Sequence, residues 1–238
     1  MQNINKYKRK RFSVLGDSIS TLFGYSEPAD AVFYEGANML RADVVRQADT
    51  WWGRVIDSLG ARLLVNDSFS GSMVTKHPAC LIPSYSASDE RTSSLGKGYV
   101  HPDVIMVFMG VNDWGHGMRP RAEGTGDLTV FSTAYGIMLD KLRENYPEAE
   151  IWCLTLPFTK KESGSFSFPY RYSGVHIEEY SEVIRSLASE RGHLVAELFD
   201  EGDPIATLDG FHPTREGMER IAERVLNAVK ERSAARDA

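Results

Sequence analysis

The feature that most constrains this chain is a rhythm of short apolar runs alternating with amphipathic stretches of helical period. Val104-Ile-Met-Val-Phe-Met109 is unbroken in its hydrophobicity, as expected of a central parallel strand buried on both faces. Shorter β-prone runs stand at Phe12-Ser-Val-Leu15, Arg62-Leu-Leu-Val65, Glu150–Leu156 and His193–Phe199. Between them lie helix signals. Thr50 caps a segment in which Trp51, Val55, Ile56 and Leu59 recur at helical spacing and Gly60 ends it. Phe131–Tyr146 stops at Pro147, Ile177–Glu190 at Gly192, and Thr214–Lys230 closes the series with Ile221, Val225, Leu226 and Val229 on one face. Strands alternating with helices of this length predict βαβ units: an α/β fold with a parallel sheet covered on both faces.

A chain of 238 residues with 42% hydrophobic side chains can build one substantial core, and no repeat or linker divides it. One domain over residues 1–238 is therefore expected. The basic run Lys6–Arg11 reads as a solvated, flexible arm over residues 1–11. The apolar stretch after it is too short for a signal peptide, and no stretch is long enough to span a bilayer. The formal net charge of −6 gives no electrostatic reason for nucleic acid or an anionic membrane to be a partner. With Cys80 and Cys153 alone, no disulfide framework is implied and a cytoplasmic setting is the default. A homo-oligomer is left open.

Two segments break the rhythm. Tyr25–Asp49 and Lys76–His101 are long and punctuated by Gly, Pro and Ser. Loops of that length in a compact domain tend to carry function, so they are read as the walls of a substrate cleft.

In an open parallel sheet, ligands bind beyond the carboxyl ends of the strands, so the residues just after each apolar run carry the chemistry. These are Gly16-Asp17-Ser18, then Asn66-Asp67-Ser-Phe-Ser-Gly71, Gly110-Val-Asn112-Asp113 and Asp209-Gly-Phe-His212-Pro213. Together they supply the parts for acyl transfer. A serine hydroxyl becomes a competent nucleophile when an imidazole accepts its proton, which assigns Ser18 and His212. The imidazole needs a carboxylate to fix its tautomer, and Asp209, three residues away, can reach it within one local turn. The Ser18 N–H, the Gly71 N–H and the Asn112 amide would serve as oxyanion donors. Trp114, directly after Asn112-Asp113, is the aromatic expected to line the substrate pocket.

With these residues on the page, the chain resembles the SGNH (GDSL-like) hydrolases. Gly16-Asp17-Ser18-Ile19-Ser20 is similar to their first block, Gly71 to the glycine of the second, Gly110-Val-Asn112-Asp113 to the third and Asp209-Gly-Phe-His212 to the fourth, in family order. The resemblance implies a flavodoxin-like three-layer α/β/α sandwich and ester hydrolysis without a metal or other cofactor. The expected substrate is a short-chain acyl ester, with an O-acetyl carbohydrate as one form. Lysophospholipase, thioesterase and sugar acyltransferase activities are alternatives on the same residues.

Competing readings are weaker. A nucleophile elbow would show G-x-S-x-G, and no Gly follows Ser20. Asp17, Asp67, Asn112, Asp113, Asp209 and His212 could ring a divalent ion, but no H-x-H or G-N-H accompanies them. Asp17 and Asp113 are read as structural, bonding backbone N–H groups of the site loops. His77, His101, His116, His176 and His193 are read as surface or loop residues.

Overall fold

In the computed structural model, five parallel strands form the central sheet: β1 (Arg11–Gly16), β2 (Arg62–Ser68), β3 (Val104–Phe108), β4 (Glu150–Leu154) and β5 (Leu194–Ala196), in the order β2-β1-β3-β4-β5. The structure describes residues 4–26, 31–77, 85–123, 126–161, 171–172 and 174–237. Every residue of β3 is buried, as its uninterrupted apolar run requires.

Helices complete the layers. They are α1 (Gly36–Ala42), α2 (Trp51–Ser58), α3 (Asp89–Ser93), α4 (Val111–Gly115), α5 (Phe131–Asn145), α6 (Ile177–Glu190) and α7 (Arg215–Asp237). Helix α2 begins at the anticipated cap, where the Thr50 hydroxyl accepts from the Gly53 N–H at 3.0 Å. It packs against α7, while α5 packs against α6. The strand order is the flavodoxin-like one, whose reversal beside β1 opens a crevice at the carboxyl ends of β1 and β3. Ser18 and Asn112 lie just past those ends.

Residues 4–11 are not a free arm. Residues Ile4–Tyr7 form a 3₁₀ turn, and Tyr7 is buried with its ring edge-on to Phe12 and Trp152 at 6.1 and 5.2 Å. Aromatic pairs of this kind add about 0.5–1.5 kcal/mol each beyond area burial. Lys6 and Tyr7 both bond Glu150 at 2.9 Å. A count of charges suggests a solvated tail; the one aromatic among the lysines reverses that.

Two further boundaries differ from expectation. Strand β2 runs through Asn66-Asp67 to Ser68, pairing Asn66 with Val14 and Asp67 with Leu15. Its polar residues can stay in the ladder because each finds a partner: Asn66 bonds the Ser20 carbonyl at 2.9 Å and Asp67 pairs with Arg91. Helix α7 continues past Lys230 because Glu231-Arg-Ser-Ala-Ala-Arg-Asp contains good helix formers and no breaker. A small parallel pair, Thr159–Lys161 with Ile205–Thr207, leads into the Asp209 turn. Cys153 is a buried free thiol, and Cys80 lies outside the described residues.

Candidate active site

The chain leaves β1 at Gly16 and enters a 3₁₀ turn, Ser18–Ser20, capped by Asp17, whose Oδ1 accepts from the Ile19 N–H at 2.9 Å. The turn is held from below by both tryptophans of α2. Trp51 Nε1 donates to Ser20 Oγ at 3.1 Å and Trp52 Nε1 to the Ser20 carbonyl at 3.0 Å. Both rings are fully buried. This seat leaves Ser18 mostly covered, with its Oγ facing a cleft of about 280 Å³.

At the other end of the chain, Asp209-Gly210-Phe211-His212 closes one tight turn. Asp209 Oδ1 accepts from the Phe211 and His212 N–H groups at 2.9 Å each, and Oδ2 lies 2.7 Å from His212 Nδ1. His212 Nε2 is 2.9 Å from Ser18 Oγ. A carboxylate only accepts, so Nδ1 carries the proton and Nε2 is the acceptor facing the serine. Although burial works against it, the bonds from His212 and Phe211 hold the Asp209 carboxyl down at about 2. It is therefore ionised throughout the neutral range.

The second and third blocks meet beside this pair. Gly71 turns the chain with φ 78°, and Gly110 opens α4 with φ 127°. That backbone conformation favours glycine, and a Cβ there would also stand a tight 3.0 Å from the Phe131 ring. Asn112 Nδ2 donates to the carbonyl of Ser72 at 2.9 Å and lies 3.4 Å from Asp17 Oδ2. That bond fixes which face of the amide is NH2, and it ties the Gly71 loop to α4. Asp113 is buried and accepts from the Val74 and Thr75 N–H groups and the Thr75 hydroxyl, at 2.9, 2.9 and 2.7 Å. Burial pushes Asp17 up to about 7 and raises Asp113 as well. Both hold loops, as their backbone contacts require.

The cleft is lined by Ser18, Ile19, Val111, Asn112, Gly115, His116, Phe211 and His212. Trp114 is not among them, which corrects the expectation that it lines the pocket. It points into the core, 3% exposed, with Nε1 donating to the Val175 carbonyl at 3.0 Å and its ring edge-on to Phe211. Helical geometry explains the swap: on α4 the side chains of Asn112 and Trp114 lie on different faces. His116, read as a loop residue, lines the cleft instead, with Nδ1 2.8 Å from the Asn112 carbonyl. His193 is buried, not on the surface.

The two long segments do not supply cleft-lining residues among those described; they brace the site from behind. Arg91, on α3, is 1% exposed and reaches the ends of two strands. It donates to Asp67 Oδ2 at 2.9 Å, the Asp67 carbonyl at 2.8 Å, Ser72 Oγ at 2.8 Å and the Gly16 carbonyl at 3.3 Å. In the other segment, Phe33 lies flat on the His212 ring, with centroids 3.4 Å apart. Neither residue sits in a recognisable motif. A lone arginine among serines and a Phe-Tyr pair in a loop carry no periodic signal. Asp67 and Asp113 are thus committed to Arg91 and to backbone amides, and among the described residues no group of three or more His, Cys, Asp or Glu could hold a metal ion.

A family model for the GDSL-like lipases/acylhydrolases matches residues 10–165, well over half of the chain. The chain belongs to that family. This GDSL-like acylhydrolase is accordingly a carboxylic ester hydrolase. Solved structures agree on the fold. A protein described as a GDSL-like lipase from Bacteroides ovatus is 29% identical with a TM-score of 0.72, over 94% of this chain and 99% of its own. A second, from Bacteroides uniformis, is also 29% identical with a TM-score of 0.72, over 97% and 100%. A family two carbohydrate esterase from Clostridium thermocellum shares the fold at 19% identity and a TM-score of 0.56, over 93% of this chain and 63% of its own. Comparison with curated proteins gives no match. Among the described residues no helix of this acylhydrolase is long and apolar enough to cross a membrane.

Proposed function

We propose that this acylhydrolase is a serine esterase acting on short-chain acyl esters through an acyl-enzyme on Ser18. One observation carries the reading: an unbroken hydrogen-bonded line runs from Ser18 Oγ through His212 to Asp209, at 2.9 and 2.7 Å. Ser18 Oγ attacks the ester carbonyl carbon while His212 Nε2 takes its proton. The Asp209 carboxylate stabilises the imidazolium that results. Negative charge moves to the carbonyl oxygen, for which the Ser18 and Gly71 N–H groups are the proposed donors. One amide hydrogen of Asn112 is held by Ser72; the other makes only the long 3.4 Å contact to Asp17 and is the one the oxyanion would take over. His212 then protonates the departing alcohol. Water, deprotonated by the same imidazole, releases the acid and restores Ser18.

The cleft supports a small substrate. Its volume, about 280 Å³, lies at the lower end of the usual range for drug-sized ligands. Its walls combine apolar Ile19, Val111 and Phe211 with polar Asn112 and His116, which suits a short acyl chain beside a hydroxylated alcohol. An O-acetyl carbohydrate fits that description, and the fold shared with a carbohydrate esterase brings acetylated sugars into the test. p-Nitrophenyl esters of increasing chain length, run beside acetylated sugars, should show turnover falling with chain length. Wild-type protein, but not Ser18→Ala, should gain the mass of an organophosphate. Equal labelling and turnover in Ser18→Ala would refute the serine mechanism.

A further inference from the structure

The segment before α1 reaches both ends of the Ser18–His212 pair. The Phe33 N–H donates to Thr21 Oγ1 at 2.9 Å, and that hydroxyl donates to the Ser18 carbonyl at 2.8 Å. The adjacent Tyr34 is fully buried and donates its hydroxyl to the Pro213 carbonyl at 2.8 Å, directly after His212. Between these two ties the Phe33 ring is stacked on the imidazole, 7° from parallel, and edge-on to Tyr34 at 5.1 Å. Phe33 is thus fastened through its backbone to the serine turn and through its neighbour to the histidine turn.

We propose that Phe33 is a positioning residue for His212, holding the ring in line with Ser18 and presenting its π-face to the imidazolium that forms during turnover. The inference rests on the serine–histidine reading above. An aromatic face attracts a cation by its quadrupole, more strongly when water is excluded. Every turnover passes through an imidazolium at this position, so the face acts where charge develops and not on the resting ester. Among the described residues Asp209 is the carboxylate facing the ring, from its own turn; the hydroxyls of Ser18 and Tyr34 approach from the 3₁₀ turn and the clamp, and His116 lines the same cleft from the end of α4. Burial, with Asp209 and Asp17 adding to it, keeps the Tyr34 hydroxyl neutral by raising it well above its ordinary range.

The test is kcat and KM for p-nitrophenyl acetate in Phe33→Leu, Phe33→Met and Phe33→Tyr, with thermal melts on each. Leu and Met fill the space without a π-face, so if one fails to fold the other is read. The expected result is kcat lowered about ten- to a hundredfold with KM within about twofold. Phe33→Tyr, which keeps the ring, should recover most of the rate. An unchanged kcat in both the Leu and Met variants, a loss confined to KM, or a Tyr variant as slow as the Leu and Met ones, would overturn the proposal. Ser18→Ala separates the two levels. If it is inactive while Phe33→Met behaves as wild type, only the role of Phe33 fails; if it stays active, the serine reading fails first.

Discussion

Replacing Arg91 by methionine is the perturbation that most directly tests how this site is built. Arg91 and Asp67 are 1% and 8% exposed in their side chains, so their charges meet almost without water. Arg91→Met leaves the side-chain volume nearly filled but strands the Asp67 carboxylate, with the Ser94 hydroxyl at 2.6 Å as its remaining side-chain partner. It also frees the Gly16 carbonyl, the Asp67 carbonyl and Ser72 Oγ. Removing one partner of a buried pair typically costs about 3–5 kcal/mol, a large part of the ~5–15 kcal/mol that stabilises a domain. The midpoint of urea unfolding, followed by tryptophan fluorescence, should fall accordingly without a change in slope. Adding Asp67→Asn removes the stranded charge, and the double variant should regain at least about 2 kcal/mol over Arg91→Met. Arg91→Lys, which keeps the charge but loses the planar fork, should fall between. A cost below about 1 kcal/mol for Arg91→Met, or a double variant no more stable than the single one, would refute the idea that this ion pair braces the strand ends.

Other outcomes follow from the same geometry. Asn112→Ala should lower kcat by about 10²–10³ with a small change in KM; steady-state kinetics on a p-nitrophenyl ester checks this, and unchanged kcat removes Asn112 from the oxyanion site. Asp209→Asn should retain the fold and lower kcat by roughly 10³–10⁴, because an amide facing Nδ1 favours the wrong tautomer; near-wild-type kcat would show that the carboxylate is dispensable. For Asp17, pushed up to about 7 by burial, the folded form keeps a proton that the unfolded chain (about 3.9) releases. Its contribution to stability therefore declines as pH rises from about 4 to about 7, by at most ~4 kcal/mol. Asp17→Asn should flatten that decline in urea titrations across the window, and parallel curves for the two proteins would contradict it.

The strand–helix rhythm was legible because β3 is apolar throughout and α2, α5, α6 and α7 keep one apolar face. Such patterns are local, and burial in a two-sided sheet leaves no other way to satisfy them. The fourth block was legible for a related reason: Asp209 and His212 are close in sequence, and a single turn makes their contact. Ser18 and Asn112 were identifiable by position after strands, but their meeting at one cleft is a consequence of β1 and β3 lying side by side in the sheet.

The amino-acid sequence by itself determined the layered α/β architecture and the residue types available for ester chemistry. Only the tertiary structure decided which side chains support them. Arg91 joins Gly16 to Asp67 and Ser72, Phe33 lies beneath His212, and Trp51 and Trp52 hold the turn of Ser18. It also turned Trp114 into the core and placed His116 and Phe211 at the cleft. The physical reason is distance along the chain. Periodicity and turn chemistry act over a few residues, whereas a buried guanidinium or a stacked ring acquires its role from groups tens to nearly two hundred positions away, which meet only once the sheet has formed.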